Sequence, residues 1–393
     1  MLIENKNKII LLIIFIKIIN SINCQENHNK NIHHNHNNDQ SILQVDLNKT
    51  ISGKIFAGIL SPEKNIPDLN LEYKKIMDSK IYKSHYNEMQ NAWKKAEEVR
   101  LKKMRDWVHL ELSNLCKKEN PIFYPFSGPD VLNVEILFPC GKEYILFGLE
   151  PPGYLRDITK LSDQELNRYL YYIRDSLKSI LNYSFFRTND MKIDFFKKLD
   201  GVAPILLTFL AYNQNEILRV TPVRLLPEGI VEDDKEQKGI LGIRFYYKNK
   251  NYQPQSIKTI TYFSVDISDP NLNQNKYFLD FLEKKSPYIT FLKAASYLMY
   301  RDNFSLIRNF ILNYSESIVQ DDSGIPLKYF DTTKWKLTFY GHYTQPIPLF
   351  KNRFQPELKK IYQDKSNVKP LPFGTGYQFY PGSSNLMIAE KIK

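Results

Sequence analysis

PIFYPFSGPDVLNVEILFPCGKEYILFGLEPPG (121–153) is the stretch on which the fold turns. Ile122 to Phe126 is a short apolar run, and Ser127-Gly128-Pro129-Asp130 after it has loop chemistry. Pro129 suits the first turn of a helix, where a missing N–H costs nothing. Val131 to Phe138 then reads as a short helix, stopped by Pro139 and Gly141. Tyr144 to Leu149 is a second apolar run, stopped by Pro151-Pro152-Gly153. Strand, loop, helix, strand makes a compact βαβ unit near 121–150. A strand over 131–138 is the competing reading.

Working outward, Leu71 to about Cys116 is helical. Tyr82, Tyr86, Met89, Trp93, Ala96 and Val99 form an intermittent apolar stripe against lysine, arginine and glutamate. Leu161–Leu181 and Met191–Leu199 are helix-like, with Ser162 and Glu165 spaced as a capping box. Val202 to Tyr212 reads as a buried helix. Glu216–Leu226, Gly239–Tyr247 and Ser256–Ile267 are rich in β-branched and aromatic residues and predict an antiparallel set near 216–268. The stretch 275–314 reads as helical, broken at Pro287 and around Asp302-Asn303. Lys334–Tyr343 and Gly374–Ala389 supply late strands. The expected class is α/β or α+β, a mixed sheet with helices.

The N-terminus has its own grammar. Lys6 and Lys8 precede an apolar run from Ile9 to Ile19, interrupted by Lys17, and a short polar exit leads to Cys24. That order predicts a signal peptide over 1–23, and the run is too short for an ordinary membrane span. Two processing readings stand. Cys24 becomes the lipidated N-terminus of an envelope lipoprotein, or a signal peptidase cuts nearby and the chain is secreted. Asn23 and Ser21 depart from the small and leucine residues that a bacterial lipobox prefers. Residues 24–40 read as a disordered polar tether, 41–70 as an extended lead-in, and 71–393 as a single globular domain.

Composition bounds the rest. At 42% hydrophobic and 13% aromatic, the 393 residues can fill a sizeable core, which excludes global disorder. The formal charge is +11, and removal of residues 1–23, with three lysines and one glutamate, leaves +9. The cations are dispersed lysines without a basic run or interleaved aromatics, which argues against a nucleic-acid partner. Any membrane contact is expected only through a lipid on Cys24. Of three cysteines, Cys116 and Cys140 are left to pair or stay free, and no Cys/His spacing suits a metal. His28, His33, His34 and His36 belong to the polar tether. No cofactor motif is present: the loop at 126–130 lacks GxGxxG and GxSxG.

Several segments resemble a family of exported bacterial proteins of uncharacterised activity. They are FYPFSGPDVLNVEILFP (123–139), YILFGLEPPG (144–153), TYFSVDISD (261–269), TFLKAASYLMYRDNFSLIRNFIL (290–312) and IVQDDSGIP (318–326). The resemblance extends over most of 80–390. It implies envelope or extracellular residence and assigns no residue a role.

The residues nominate a ligand site independently. Ser127, Gly128 and Asp130 lie where a strand hands over to a helix, a place where open α/β sheets bind ligands. One of Ser127 and Asp130 is also a natural helix cap. Glu150 ends the run YILFGL and either does acid–base work or anchors the Pro-Pro-Gly turn. Asp321 and Asp322 are adjacent acids in QDDSG, able to share a proton or to hold a turn. Asp266 is a weaker candidate. Lys293 stands out within TFLKAASYL, because a lysine facing a core needs a partner. The preferred expectation is a binding or interaction protein with an unidentified ligand. The alternative is a hydrolase using Asp130, Glu150 and Asp321 or Asp322. Convergence of Ser127, Asp130, Glu150, Asp321 and Asp322 on one pocket separates the two.

Overall fold

The computed structural model describes residues 44–67, 69–115, 119–186, 199–232, 238–249 and 256–392. The predicted signal peptide and tether, Cys24, Cys116, and all but Leu199 of the expected helix at 191–199 lie outside them. Val45–Lys393 forms one compact unit.

The 121–153 stretch folds as its residues dictate. Strand β1 (Ile122–Tyr124), helix α5 (Val131–Leu137) and strand β2 (Glu143–Gly148) make a parallel βαβ unit. Before it come α1 (Leu47–Phe56), α2 (Leu71–Asp78), α3 (Lys80–Ala96) and α4 (Lys102–Glu111), with a π-helical turn at Glu97–Leu101 between the last two. After it come α6 (Asp163–Tyr183) and the apolar α7 (Ala203–Tyr212). Ser162 and Glu165 close the expected capping box at the start of α6.

Three strands then form the predicted antiparallel set: β3 (Asn215–Leu226), β5 (Ile240–Asn249) and β6 (Lys258–Ser264), with the short β4 (Gly229–Glu232) on the outer edge. β6 also pairs parallel with β2 and so joins this set to the βαβ unit. The chain continues through α8 (Asp269–Gln274), α9 (Lys276–Glu283), β7 (Tyr288–Leu292), α10 (Ser305–Tyr314) and β8 (Ser315–Gln320). It ends with β9 (Trp335–Gly341), α11 (Pro356–Gln363), β10 (Val368–Lys369) and β11 (Asn385–Lys391).

Among the described residues, eleven strands share one mixed sheet, in the order β10-β9-β11-β8-β7-β1-β2-β6-β5-β3-β4. Its centre, β8-β7-β1-β2-β6, is parallel. Numbered by appearance, those strands read 5-4-1-2-3 across the sheet. Side chains alternate between two cores: Leu386 and Ile388 join one, Met387 and Ala389 the other. Residues of α1–α7 cover the first face and residues of α8–α11 the second, giving three layers.

Two expectations are corrected. The lead-in is not extended throughout, because residues 47–56 are helical. Asp46 caps that helix by accepting from the Lys49 N–H at 2.9 Å, and Ile51, Ile55 and Phe56 face the core. Gly53 weakens the helical signal, yet a Cβ there would press on Ala211 and Leu207 of α7, so its absence permits close helix contact. The second correction concerns 275–314, which contains a strand. Tyr288–Leu292 is buried on both faces between β1 and β8. Five buried residues in a row, all apolar but Thr290, have the same pattern in a central parallel strand as in a buried helix.

Candidate functional site

The carboxyl ends of β8, β7, β1, β2 and β6 lie along one edge of the sheet. From β1 the chain runs through α5 into the first core, whereas from β7 it runs towards α10 in the second. The two neighbouring strands therefore send their following loops to opposite faces. The backbone separates there and leaves a crevice, the topological switch point of an open α/β sheet. A cavity of about 150 Å³ occupies it. The loop after β1 contributes Phe126, Ser127, Gly128 and Asp130, the end of β2 contributes Gly148, Leu149 and Glu150, and the loop after β7 contributes Lys293 to Ser296. Tyr124, Phe185, Phe186 and Tyr377 add aromatic wall.

Its floor is an ion pair. Lys293 Nζ lies 2.5 Å from Asp130 Oδ2, with the two side chains only 2% and 3% exposed. Lys293 also donates to the Ser184 carbonyl. Asp130 accepts from Tyr124 Oη at 2.9 Å, Asn133 Nδ2 at 2.8 Å and the Asn133 backbone N–H at 3.1 Å. The last bond makes Asp130 the N-cap of α5, so this residue both caps a helix and lines the crevice. Burial pushes the Lys293 ammonium down, with Asp130 opposing, and burial beside Asp130 pushes the Tyr124 phenol well up. Arg100 stands behind the pair on the π-helical turn and donates to the Ile180 carbonyl at 2.8 Å. Burial lowers its guanidinium to about 10, against the attraction of Asp130.

The other nominated residues divide. Ser127 Oγ donates to backbone carbonyls, Gly128 at 2.9 Å and Phe147 at 3.2 Å, and so ties the loop to β2. Gly128 adopts a φ of 52°, and a Cβ on the facing Gly148 would collide with Glu150, Tyr262 and the Gly128 backbone. Two glycines thus let β2 and the loop after β1 meet. Glu150 is buried at the rim, where Tyr262 Oη donates to its carbonyl at 2.9 Å and lies 3.3 Å from Oε2.

Asp321 sits behind the crevice wall. Its Oδ2 accepts from the Ala294 N–H at 2.9 Å, and its Oδ1 accepts from the N–H and hydroxyl of Ser323. Asp322 points away from the crevice, accepting from Tyr297 Oη and from Asn385 Nδ2 at 2.9 Å. Neither lines the cavity, so Ser127, Gly128, Asp130 and Glu150 converge and the QDDSG acids do not. Alternation along the strand end turns the two neighbours apart. Asp266 holds a local turn through the Ser268 N–H and Asn271 Nδ2.

Sequence reasoning passed over Arg100, Tyr124 and the aromatic wall. Arg100 stands among exposed charged residues, yet it continues the buried stripe of Met89, Trp93 and Ala96 at helical spacing. Lys293 carried a legible signal, a cation inside an apolar run. A larger cavity of about 360 Å³ lies at the opposite edge of the sheet, between α4, α5 and the start of β3. Its buried polar groups pin strand ends: Asn213 and Asn215 donate to Glu135, and Lys258 donates to the Pro139 carbonyl at 2.5 Å. Among the described residues no cluster of three or more side chains could hold a metal ion, and no helix is long and apolar enough to cross a membrane.

No family model, no curated protein and no solved structure matches this chain.

Proposed function

We propose that the chain is an exported binding protein whose switch-point crevice holds a small ligand of nucleoside type. The observation that carries the reading is Glu150. It is a buried carboxylate at the end of the second parallel strand, about 20 residues beyond the glycine turn that follows the first. In doubly wound sheets with this strand order an acid so placed hydrogen-bonds ribose hydroxyls. Phe126, Phe185, Phe186 and Tyr377 offer apolar wall for a flat ring. The loop argues against a dinucleotide. Pro129 has no N–H to give a phosphate, and Asp130 already caps the helix that would receive one. A cavity of about 150 Å³ also falls below the size of pockets that enclose a whole drug-sized ligand.

Export is supported by the n-region and apolar run at 6–19, and by the resemblance to uncharacterised exported bacterial proteins. It is supported too by Cys140, which is disulfide-bonded, a state that persists in oxidising compartments. The hydrolase alternative has less support, since Asp321 and Asp322 stand outside the crevice that Asp130 and Glu150 line.

The test is calorimetric titration of the processed chain with adenosine, S-adenosylmethionine and NAD, repeated with 2′-deoxyadenosine and with Glu150→Gln. Adenosine should bind. Loss of the charged hydrogen bond should weaken it by about 10- to 150-fold in either the deoxy ligand or the variant. Absence of binding by every nucleoside, or equal affinity of Glu150→Gln, overturns the reading.

A further inference from the structure

The loop after β7 is held by acids that never enter the crevice. Ala294, Ser296 and Tyr297 all adopt left-handed backbone, with φ of 50°, 52° and 54°. For residues with a Cβ such a run is strained, and surrounding bonds must impose it. Here they do. Asp321 takes the Ala294 N–H at 2.9 Å, and Ser323 Oγ takes the Ala295 N–H at 2.8 Å. Tyr377 Oη donates to the Ala294 carbonyl at 2.9 Å and lies 2.8 Å from Ser296 Oγ. At the far end the Asp322 carboxylate accepts from the Tyr297 phenol, while the Tyr300 phenol donates to the Asp322 carbonyl at 3.0 Å. Three of the residues so fastened, Ala294, Ala295 and Ser296, are crevice wall.

We infer that Asp321 and Asp322 are a proton-operated latch on Ala294–Tyr297, closing the crevice wall when the pair holds a proton and loosening it when both acids are ionised. The consequence for ligand rests on the crevice reading above; the latch itself does not. Two consecutive buried carboxylates grip opposite ends of one strained loop, and fully ionised they repel.

The Tyr297 phenol and Asn385 Nδ2, donating to Asp322, offset part of that repulsion, and burial outweighs them. Asp321 faces Asp322 from β8, Tyr297 and Tyr300 from the loop after β7, Tyr343 from beyond β9, Tyr362 from α11 and Asn385 from β11. Tyr377 feels both acids, Lys293 acts on Asp321, and Arg353 acts on Tyr300. Burial, then Asp321, pushes the Asp322 carboxyl up to about 7, and burial also raises Asp321. With the loop open and solvated, Asp322 would return towards the ordinary carboxylate value. Proton binding therefore favours the closed loop. The advantage is complete at acid pH and is lost as pH rises through about 7.

Hydrogen–deuterium exchange of the mature chain tests this, with protection of residues 291–300 corrected for intrinsic rate at about pH 5.5 and about pH 8.5. Protection should fall at least about tenfold at the higher pH, since each unit between the two carboxyl values shifts the opening equilibrium tenfold. Asp322→Asn should keep the acid level of protection at both. Tyr297→Phe removes a donor to the ionised form, so its transition should move to higher pH. Constant protection in the unaltered chain, or an unchanged transition in Asp322→Asn, overturns the latch. Adenosine titration at both pH values is the separate arm. A pH-dependent loop in a chain that binds adenosine at neither pH keeps the latch and removes the nucleoside reading.

Discussion

Lys293→Met tests the ion pair beneath the crevice most directly. Methionine is of similar length and leaves the carboxylate of Asp130 buried beside Tyr124, Asn133 and Arg100. Breaking a buried pair from one side costs about 3–5 kcal/mol, because the remaining charge loses its counterion in a poorly solvated place. Asp130 would retain the Tyr124 hydroxyl at 2.9 Å and both Asn133 donors, so the loss should fall near the lower figure, about 3 kcal/mol. Asp130→Ala should cost more, about 4–6 kcal/mol. It strands Lys293 with the Ser184 carbonyl and Arg100 nearby, and it removes the cap of α5, itself worth about 1 kcal/mol. The double variant should fall short of the sum by about 2 kcal/mol, since the second change removes a charge already stranded. Urea unfolding followed by tryptophan fluorescence measures all three, with m-values checked for constancy. A single-variant loss below about 1 kcal/mol, or strict additivity in the cycle, would refute the claim that the pair is one buried unit.

Further outcomes are expected at other points of the edge. Gly148→Ala forces a methyl against Glu150, Tyr262 and the Gly128 backbone, and should cost about 1–3 kcal/mol and abolish nucleoside binding. Asp322→Asn should stabilise the chain above pH 7 by up to about 4 kcal/mol, the ceiling set by three pK units, with the gain vanishing as pH falls towards the ordinary carboxylate value; a gain that grew on acidification would reverse the sign of the argument. Expressed with its signal in a suitable host, the mature chain should begin close to Cys24. Cys24→Ser should release a lipidated form from membranes and stop fatty-acid labelling, whereas intact Met1 in the cytosol would remove the export reading.

How far the sequence reached depends on where local chemistry was decisive. Within 121–153, prolines and glycines punctuate every boundary, so the bounds of β1, α5 and β2 could be placed without tertiary information, while a strand over 131–138 stayed open as the alternative to α5. The Ser162/Glu165 capping box and the β-branched runs of β3, β5 and β6 are local in the same way. That Ser127, Gly128, Asp130 and Glu150 lie at strand ends was legible because turn chemistry beside apolar strands marks such loops.

What tertiary structure alone decided is long-range. Tyr288–Leu292 is a strand because β1 and β8 flank it, and a short, mostly apolar run cannot announce its neighbours. Lys293 was visibly in need of a partner, but only the juxtaposition of β7 with β1 supplied Asp130, far back in the chain. Asp321 and Asp322 looked equivalent as a pair of letters. Their separation into a wall support and an outward-facing acid follows from alternation at the end of β8 and from β11, which brings Asn385 to one of them and not the other. The switch point itself has no sequence signature, because it exists only where neighbouring strands send their loops to opposite faces of one sheet.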